Sequence, residues 1–582
     1  MKRWKFLALL AVLALLVAAC GDDEGGETTT TAEVTTTTAG EDTTTTTAGE
    51  DTTTTTAGPA FEGLSYSAPD CTYGGEFQTI EAVDELTVRF TLCYPDVAFR
   101  SKVAFSAFAI HSADYLAETG GGGDALISNP IGTGPYMLEQ WDRGSQLVLT
   151  RFDDYWGDPA IAQTVVFRWS TEAAQRLVEL QSGQVDGIDN VGTDDFETVA
   201  GDANLQLITR EGLNVFYIGM NNWYPPFDNE QVRQALAMAI DKERIIVNFY
   251  PPGSSVAEQF LPTAIPGYTE TPTWYEYDPE AAMALLAEAG FPDGFDITLS
   301  YRDVVRGYLP QPAVVAQDIQ AQLAEIGVNV TINVMESGAF IDAADAGSEE
   351  VAFHLLGWGA DYPDATNFLD YHFGAGSSDQ FGDQYEDLTT VLSEAASLSD
   401  QAERDVLYAQ AAELIKQHVP MIPVAHGGSA VAFKADVTGA HASPLSNELM
   451  AVMDPGGRDT LVWMQNAEPI GLYCADESDG ESLRACEQIN ESLLGFEVGG
   501  TGTVPSLATA CDPNEDLTVW TCTLREGVLF HDGSTFDAND VVTSYYVQWD
   551  AASPLHVGRD GSFTYFPGLF GAFLNAPEEA EG

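Results

Sequence analysis

The stretch FDITLSYRDVVRGYLPQPAVVAQDIQAQLAEIGVNVTINV, residues 295–334, holds the reading on which the fold turns. Ile297-Thr-Leu299 alternates as a strand does and then gives way to polar residues. Val315, Ile319, Leu323 and Ile326 recur at helical spacing, and Gly327 closes the helix as a C-cap. Val328, Val330, Ile332 and Val334 then alternate as a second strand. A strand, helix and strand joined by short links predict a right-handed crossover and parallel pairing. The body is therefore expected to be α/β.

Other helices carry legible starts. Asp278-Pro279 supplies an N-cap with proline at the first helical position, and that helix should end at Gly290. Asp228, with Gln231 three residues on, resembles a capping box ahead of Val232, Leu236 and Ile240. Downstream, the apolar run Val351–Leu356 reads as a strand ending in Gly357-Trp358-Gly359-Ala360-Asp361-Tyr362-Pro363-Asp364. Glycines and an aromatic beside an acid at the carboxyl end of a strand suit a ligand crevice in an open α/β sheet. Arg306, just beyond the strand at 297–301, should face the same crevice. A carboxylate and a guanidinium held apart there would suit a zwitterion, Asp361 for an ammonium and Arg306 for a carboxylate. Read from spacing alone, the same two residues are also consistent with ordinary surface charges.

Composition limits the partners. The 582 residues allow three or four domains, and 45 % of them are hydrophobic, enough to bury a core. Against 89 acidic residues stand 23 basic ones, a net charge of −66. That field repels phosphate backbones and anionic lipid surfaces, so neither nucleic-acid binding nor polybasic membrane docking is expected.

At the head, Lys2, Arg3 and Lys5 precede the apolar run Phe6–Val17, and Val17-Ala18-Ala19-Cys20 follows. This resembles a bacterial lipobox: a signal peptide over 1–19, with Cys20 lipidated after cleavage. Diacylation would anchor the mature chain to the membrane without a transmembrane helix, and would place the protein outside the cytoplasm. Residues 20–58 form a Thr-rich tether in which AGEDTTTTT at 39–47 repeats at 48–56; it lacks the apolar residues for a core and should be disordered. As a flexible coil it would reach on the order of 35 Å. Residues 576–582 are expected to be a disordered tail.

Setting Cys20 aside leaves Cys71, Cys93, Cys474, Cys486, Cys511 and Cys522, an even set that suits disulfides in an oxidising compartment. Many pairings are open; nearest neighbours would give Cys71–Cys93, Cys474–Cys486 and Cys511–Cys522. The last would close a hairpin around Asp512-Pro513-Asn514. No CxxC pair is present, so zinc is not expected, and nothing calls for a cofactor. The chain has no GxSxG, HExxH or Walker lysine loop, so no enzyme is expected.

Several motifs carry a family resemblance. Asn129-Pro-Ile-Gly-Thr-Gly-Pro-Tyr136, Asp154-Tyr-Trp-Gly157, Leu180-Gln-Ser-Gly183, Gly212-Leu-Asn214, Val232-Arg-Gln-Ala-Leu236, Asp278-Pro-Glu280 and Gly357-Trp358 belong to one pattern. Leu524-Arg-Glu-Gly-Val528, Phe530-His-Asp-Gly533 and Asp540-Val-Val542 belong to the same pattern. Together they resemble the peptide- and nickel-type solute-binding proteins of ABC transporters, family 5, across nearly all of residues 70–575. The resemblance implies a periplasmic-binding-protein type II-like fold: two α/β lobes around a cleft plus an extra domain. In the family the segment like 459–575 comes first; here it comes last, which reads as a circular permutation joined through Asp454-Pro-Gly-Gly-Arg458, the alternative being a fragment of a second, tandem copy. Lobe I would combine 165–235, 425–455 and 459–495. The extra domain would combine 60–164 with 496–575, and lobe II would be 236–424.

By the same resemblance, Asp361 would receive a peptide's amino terminus, with Asp364 as second candidate. Arg306 would hold the carboxyl terminus, and Trp358 and Tyr362 would wall side-chain pockets. His531 would bond locally, with no metal. The implied function is capture of short peptides and delivery to ABC permease subunits by a lipid-anchored monomer. The alternatives are the same fold with another cargo, an oligosaccharide or metal chelate, and a surface receptor or adhesin on the Thr-rich stalk.

Overall fold

The computed structural model describes residues 61–303, 306–375 and 377–577. The expected signal peptide, Cys20, the tether over 20–58 and residues 578–582 lie outside that range. Among the described residues no helix is long and apolar enough to cross a membrane.

The stretch at 295–334 folds as its pattern dictates. Strand Phe295–Arg302 pairs in parallel with Val328–Met335 along its whole length, and helix Pro312–Glu325 makes the crossover. Val315, Ile319 and Leu323 are fully buried, and Gly327 takes the left-handed φ of 85° that ends the helix. Asp278 caps helix Pro279–Glu288 through the Ala281 N–H, and Gly290 follows at φ 97°. The cap of helix Glu230–Met238 is Asn229 rather than Asp228. The Asn229 amide oxygen accepts from the Gln231 N–H at 3.0 Å, so the start falls one residue later than the capping-box spacing predicts.

Three large sheets result. A six-stranded mixed sheet runs Ser255–Val256, Met421–His426, Asn214–Met220, Phe353–Gly359, Phe295–Arg302, Val328–Met335. A seven-stranded sheet runs Tyr136–Asp142, Gln146–Arg151, Thr164–Trp169, Thr460–Gln465, Gly187–Ile188, Ser429–Lys434, Leu205–Arg210. A five-stranded antiparallel sheet runs Ser65–Ser67, Phe77–Asp84, Thr87–Leu92, Val519–Leu524, Ala508–Pro513. Each sheet has its own apolar core.

Sheet membership moves two of the expected domain boundaries. The second lobe begins near Leu213 instead of 236, because Asn214–Met220 sits between Phe353–Gly359 and Met421–His426. Residues 136–164 belong with the seven-stranded sheet instead of the extra domain, because Gln146–Arg151 pairs with Thr164–Trp169. Both errors have one cause: a strand's partner is chosen by long-range pairing, which local pattern does not encode.

The late part of the chain is woven into the early part. Thr460–Gln465 lies between Thr164–Trp169 and Gly187–Ile188, parallel to both. Val519–Leu524 pairs with Thr87–Leu92. Asp454–Arg458 forms the turn leading into the inserted strand, with Gly456 and Gly457 at φ 73° and 76°. Disulfides join Cys71–Cys93, Cys474–Cys486 and Cys511–Cys522. Cys511 and Cys522 stand directly opposite each other in the antiparallel hairpin.

Trp463, on the inserted strand, is fully buried against Phe433. Trp463→Ala should cost about 3–5 kcal/mol, as truncation of a large core aromatic does. Urea unfolding followed by circular dichroism measures this, and the same experiment on exposed Val498→Ala should show a change below about 0.5 kcal/mol.

Candidate functional site

Two crossings join the lobes, and they lie side by side. Glu211 to Leu213 leads from strand Leu205–Arg210 into Asn214–Met220, and Gly427-Gly428 leads from Met421–His426 into Ser429–Lys434. The Asn214 amide ties them together: its Nδ2 donates to the Gly427 carbonyl at 2.8 Å and its Oδ1 accepts from the Gly427 N–H at 2.8 Å. The backbones approach so closely that a Cβ on Gly212 would lie 1.7 Å from the Gly427 oxygen. Only glycine fits there.

A cavity of about 640 Å³ opens at these crossings. Lobe I contributes Arg210, Ser429 and Arg484; lobe II contributes Arg306, Tyr308 and Asp361. A smaller cavity of about 250 Å³ adjoins it inside lobe II, walled by Trp358, Tyr371 and Leu356. Arg306, Tyr308, Gly359 and Asp361 line both spaces, so the two adjoin at these residues.

Asp361 stands just past strand Phe353–Gly359, its side chain open to the cavity. Crowding by protein pushes its carboxyl pKa up, while a hydrogen bond from Asn367 works the other way. Asn367 Nδ2 donates to Asp361 Oδ2 at 3.0 Å, and Asn367 Oδ1 accepts from the Asp361 N–H at 2.9 Å and the Trp358 Nε1–H at 3.2 Å. Trp358 stacks on Tyr371 with ring centroids 4.2 Å apart and meets the His372 edge at 5.0 Å. Burial lowers the His372 pKa to about 4, which keeps the ring neutral near pH 7.

Arg306 opens a tight turn closed by two backbone hydrogen bonds with Leu309. The turn is fixed from outside. The Tyr250 hydroxyl donates to the Tyr308 carbonyl at 2.6 Å, and Arg302 Nη2 donates to the Tyr308 hydroxyl at 3.1 Å.

The structure thus brings Asp361, Arg306 and Trp358 together on the smaller cavity, and places Asp364 and Tyr362 elsewhere. Asp364 caps helix Ala365–Phe373 and is buried against Arg404, which grips both carboxylate oxygens at 2.7 and 2.9 Å. Burial would raise the Asp364 pKa, but Arg404 outweighs it and holds the carboxyl below its ordinary value. Tyr362 turns away from the cavities and packs on the extra-domain core, its ring 5.6 Å from Lys102 Nζ. Lys102 is itself buried between Glu76 and Asp96, each at 2.9 Å.

Sequence reasoning missed Asn214, Asn367, Arg404 and a buried quartet behind the cavity. In that quartet Arg210 and Arg484 each bridge Asp189 and Glu448, with Arg210 2.9 Å from Asp189 and Arg484 2.8 Å from Glu448. The quartet is formally neutral. Its members lie far apart in sequence, so no local pattern announces it. Asn214 left a trace, as the last residue of the motif Gly212-Leu-Asn214, although its clamping role did not show there.

Two α/β lobes joined by paired crossings, with a charged and aromatic-walled cavity between them, define a hinged binding protein. The sequence profile of the bacterial extracellular solute-binding proteins, family 5 (middle), matches residues 40–380 and 502–562, and the chain belongs to this family. It is 33 % identical over 354 residues to heme-binding protein A of Haemophilus influenzae, covering 60 % of this chain and 64 % of that protein. Di/tripeptide-binding protein 1 of Pseudomonas aeruginosa is 34 % identical over 355 residues, covering 60 % of this chain and 65 % of that one. The dipeptide-binding protein of Escherichia coli is 32 % identical over 372 residues, with 63 % and 69 % covered. The first two alignments span a little under two thirds of those relatives' own length. Among solved structures, HbpA2 from Haemophilus parasuis superposes with a TM-score of 0.60 at 34 % identity, covering 63 % of this chain and 73 % of that one.

Breaking a buried ion pair strands its partner in low dielectric. Arg404→Met should therefore destabilise the protein by about 3–5 kcal/mol, while Arg404→Met with Asp364→Leu should recover much of the loss. Chemical denaturation of the two variants decides this.

Proposed function

We propose that this protein is the substrate-binding component of an ABC importer, capturing short peptides between its lobes and delivering them to a membrane permease. The observation that carries the reading is the joint placement of Asp361 and Arg306 on the same two adjoining cavities, the smaller of them walled by Trp358 and Tyr371. A peptide carries an ammonium at one end, a carboxylate at the other and side chains between. Asp361 answers the first, Arg306 the second by bidentate hydrogen bonding, and the 250 Å³ aromatic space the third. Relatives named for dipeptides and tripeptides support this cargo over an oligosaccharide, and stand beside one named for heme, a metal chelate. A static adhesin would have little use for glycine-only crossings between two lobes.

The mechanism is closure. Solute enters between parted lobes, and rotation about the crossings at 211–213 and 427–428 brings lobe I down on it. Closure excludes water, which strengthens the Asp361 and Arg306 contacts, and the closed form docks on the permease. Sequence order supports reading the chain as one permuted copy of the family fold, since the late strands complete sheets begun by the early ones.

Asp361→Asn should weaken dipeptide binding by more than tenfold, about 1.4 kcal/mol, and leave the unfolding curve unchanged. Titration calorimetry showing equal affinity would remove Asp361 from the site.

We further propose that Cys20 carries the lipid that tethers the body outside the cytoplasm, through the Thr-rich segment. Cys20→Ser should shift the protein from the membrane fraction to the soluble fraction on ultracentrifugation, with peptide affinity unchanged. Equal membrane retention of the variant would contradict lipidation there.

A further inference from the structure

We infer that Asn367 is the positioning residue of the ammonium site: its side-chain amide fixes the Asp361 carboxylate and the Trp358 indole in one arrangement, so that selection of a free amino terminus depends on it. The inference rests on the proposed role of Asp361.

Three hydrogen bonds carry it. Asn367 sits on the first turn of helix Ala365–Phe373, which Asp364 caps and Arg404 locks in place. From that rigid base its Oδ1 takes the Asp361 N–H at 2.9 Å and the Trp358 Nε1–H at 3.2 Å. Its Nδ2 gives a hydrogen to Asp361 Oδ2 at 3.0 Å. Asn367 is 4 % exposed and so contacts no solute itself. One amide thereby orients the loop backbone, the acid and the aromatic wall.

The Nδ2–H···Oδ2 contact also acts on charge. A donor aimed at a carboxylate favours its ionised form, and it opposes the upward push that crowding gives Asp361. The other groups around Asp361 are Arg306 and Tyr308 from the turn at 306–309, Tyr371 on its own helix, and Tyr565 from helix Tyr565–Phe570. Of these only Arg306 can favour the anion electrostatically, and the proposed reading assigns it to the far end of the peptide. Asn367 is the group in direct hydrogen-bond contact that opposes the loss of charge on Asp361. Only an ionised Asp361 pairs with an ammonium.

The test compares alanyl-phenylalanine with its N-acetyl form, by calorimetry from pH 4.5 to 8, on the full chain and two variants. Wild-type protein should prefer the free peptide by more than tenfold at pH 7, with the preference falling as acid protonates Asp361. Asn367→Ala removes the donor, so the acid limb should move to higher pH, and the preference read on that limb should drop severalfold while that at pH 8 changes least. Asn367→Asp keeps the acceptor for both N–H groups, which preserves the loop, but faces Asp361 with a like charge. Its acid limb should move further up than that of Asn367→Ala. Should the alanine variant fail to fold, the aspartate variant alone decides. Losses equal at every pH and equal for both peptides would show a merely structural residue and overturn the inference. So would variants that keep the wild-type acid limb. A wild-type protein that does not discriminate between the peptides would instead sink the Asp361 reading, and this inference with it.

Discussion

The structure depends on strands from the end of the chain completing sheets begun near its start. Thr460–Gln465 occupies an interior place in the seven-stranded sheet, hydrogen-bonded on both edges. Without it, Thr164–Trp169 and Gly187–Ile188 would present unpaired backbone to each other across an apolar core, at a cost comparable to losing each of those hydrogen bonds. The same strand leads, through residues 466–479, into helix Gly480–Glu487, which carries Arg484 to the back of the cavity. Gly480, Leu483 and Arg484 therefore reach the lobe I wall only because a late strand pairs early. Loop closure over such separations costs little more than over shorter ones, because the entropy grows only with the logarithm of length.

Charge is distributed with the same economy. Of the chain's 23 lysines and arginines, seven are buried among the described residues: Lys102, Arg176, Arg210, Arg233, Lys242, Arg404 and Arg484. Four of them neutralise buried carboxylates directly: Lys102, Arg210, Arg404 and Arg484. The surface is left with most of the −66. In that setting Arg306 is conspicuous as a guanidinium lining a cavity. The lobe I arginines that share the cavity are already matched by Asp189 and Glu448, so that wall is close to neutral. On the proposed reading, both charges that answer a zwitterion stand on lobe II, facing arginines that are already paired.

How much of this the sequence disclosed depends on range. The parallel unit at 295–334 was legible because each residue's role is set by neighbours within a turn or two. The approach of Asp361 and Arg306 to one crevice was legible because both follow strands of one sheet, and carboxyl ends of parallel strands share an edge. The burial of Asp364 was not legible because an acid at a helix start reads alike whether it meets solute or Arg404, forty residues on. Asn229 against Asp228 shows the same limit at short range, where two cap-forming residues stand side by side. The lobe boundary near 213 and the buried quartet needed pairings between residues hundreds apart.

The hinge and the site are one piece of backbone. Asn214, which clamps Gly427, pairs through its backbone with Gly359, two residues before Asp361. On the other side, a Cβ at Gly427 would lie 2.0 Å from the carbonyl of Gly307, the residue after Arg306. The crossings therefore touch both loops that hold the candidate anchoring charges. A rotation at the crossings cannot leave those loops unaffected, and a solute that holds Asp361 and Arg306 in fixed relation resists part of the same motion. If the proposed reading holds, peptide length would be sensed twice, by the reach between the two charges and by the lobe angle that this reach permits.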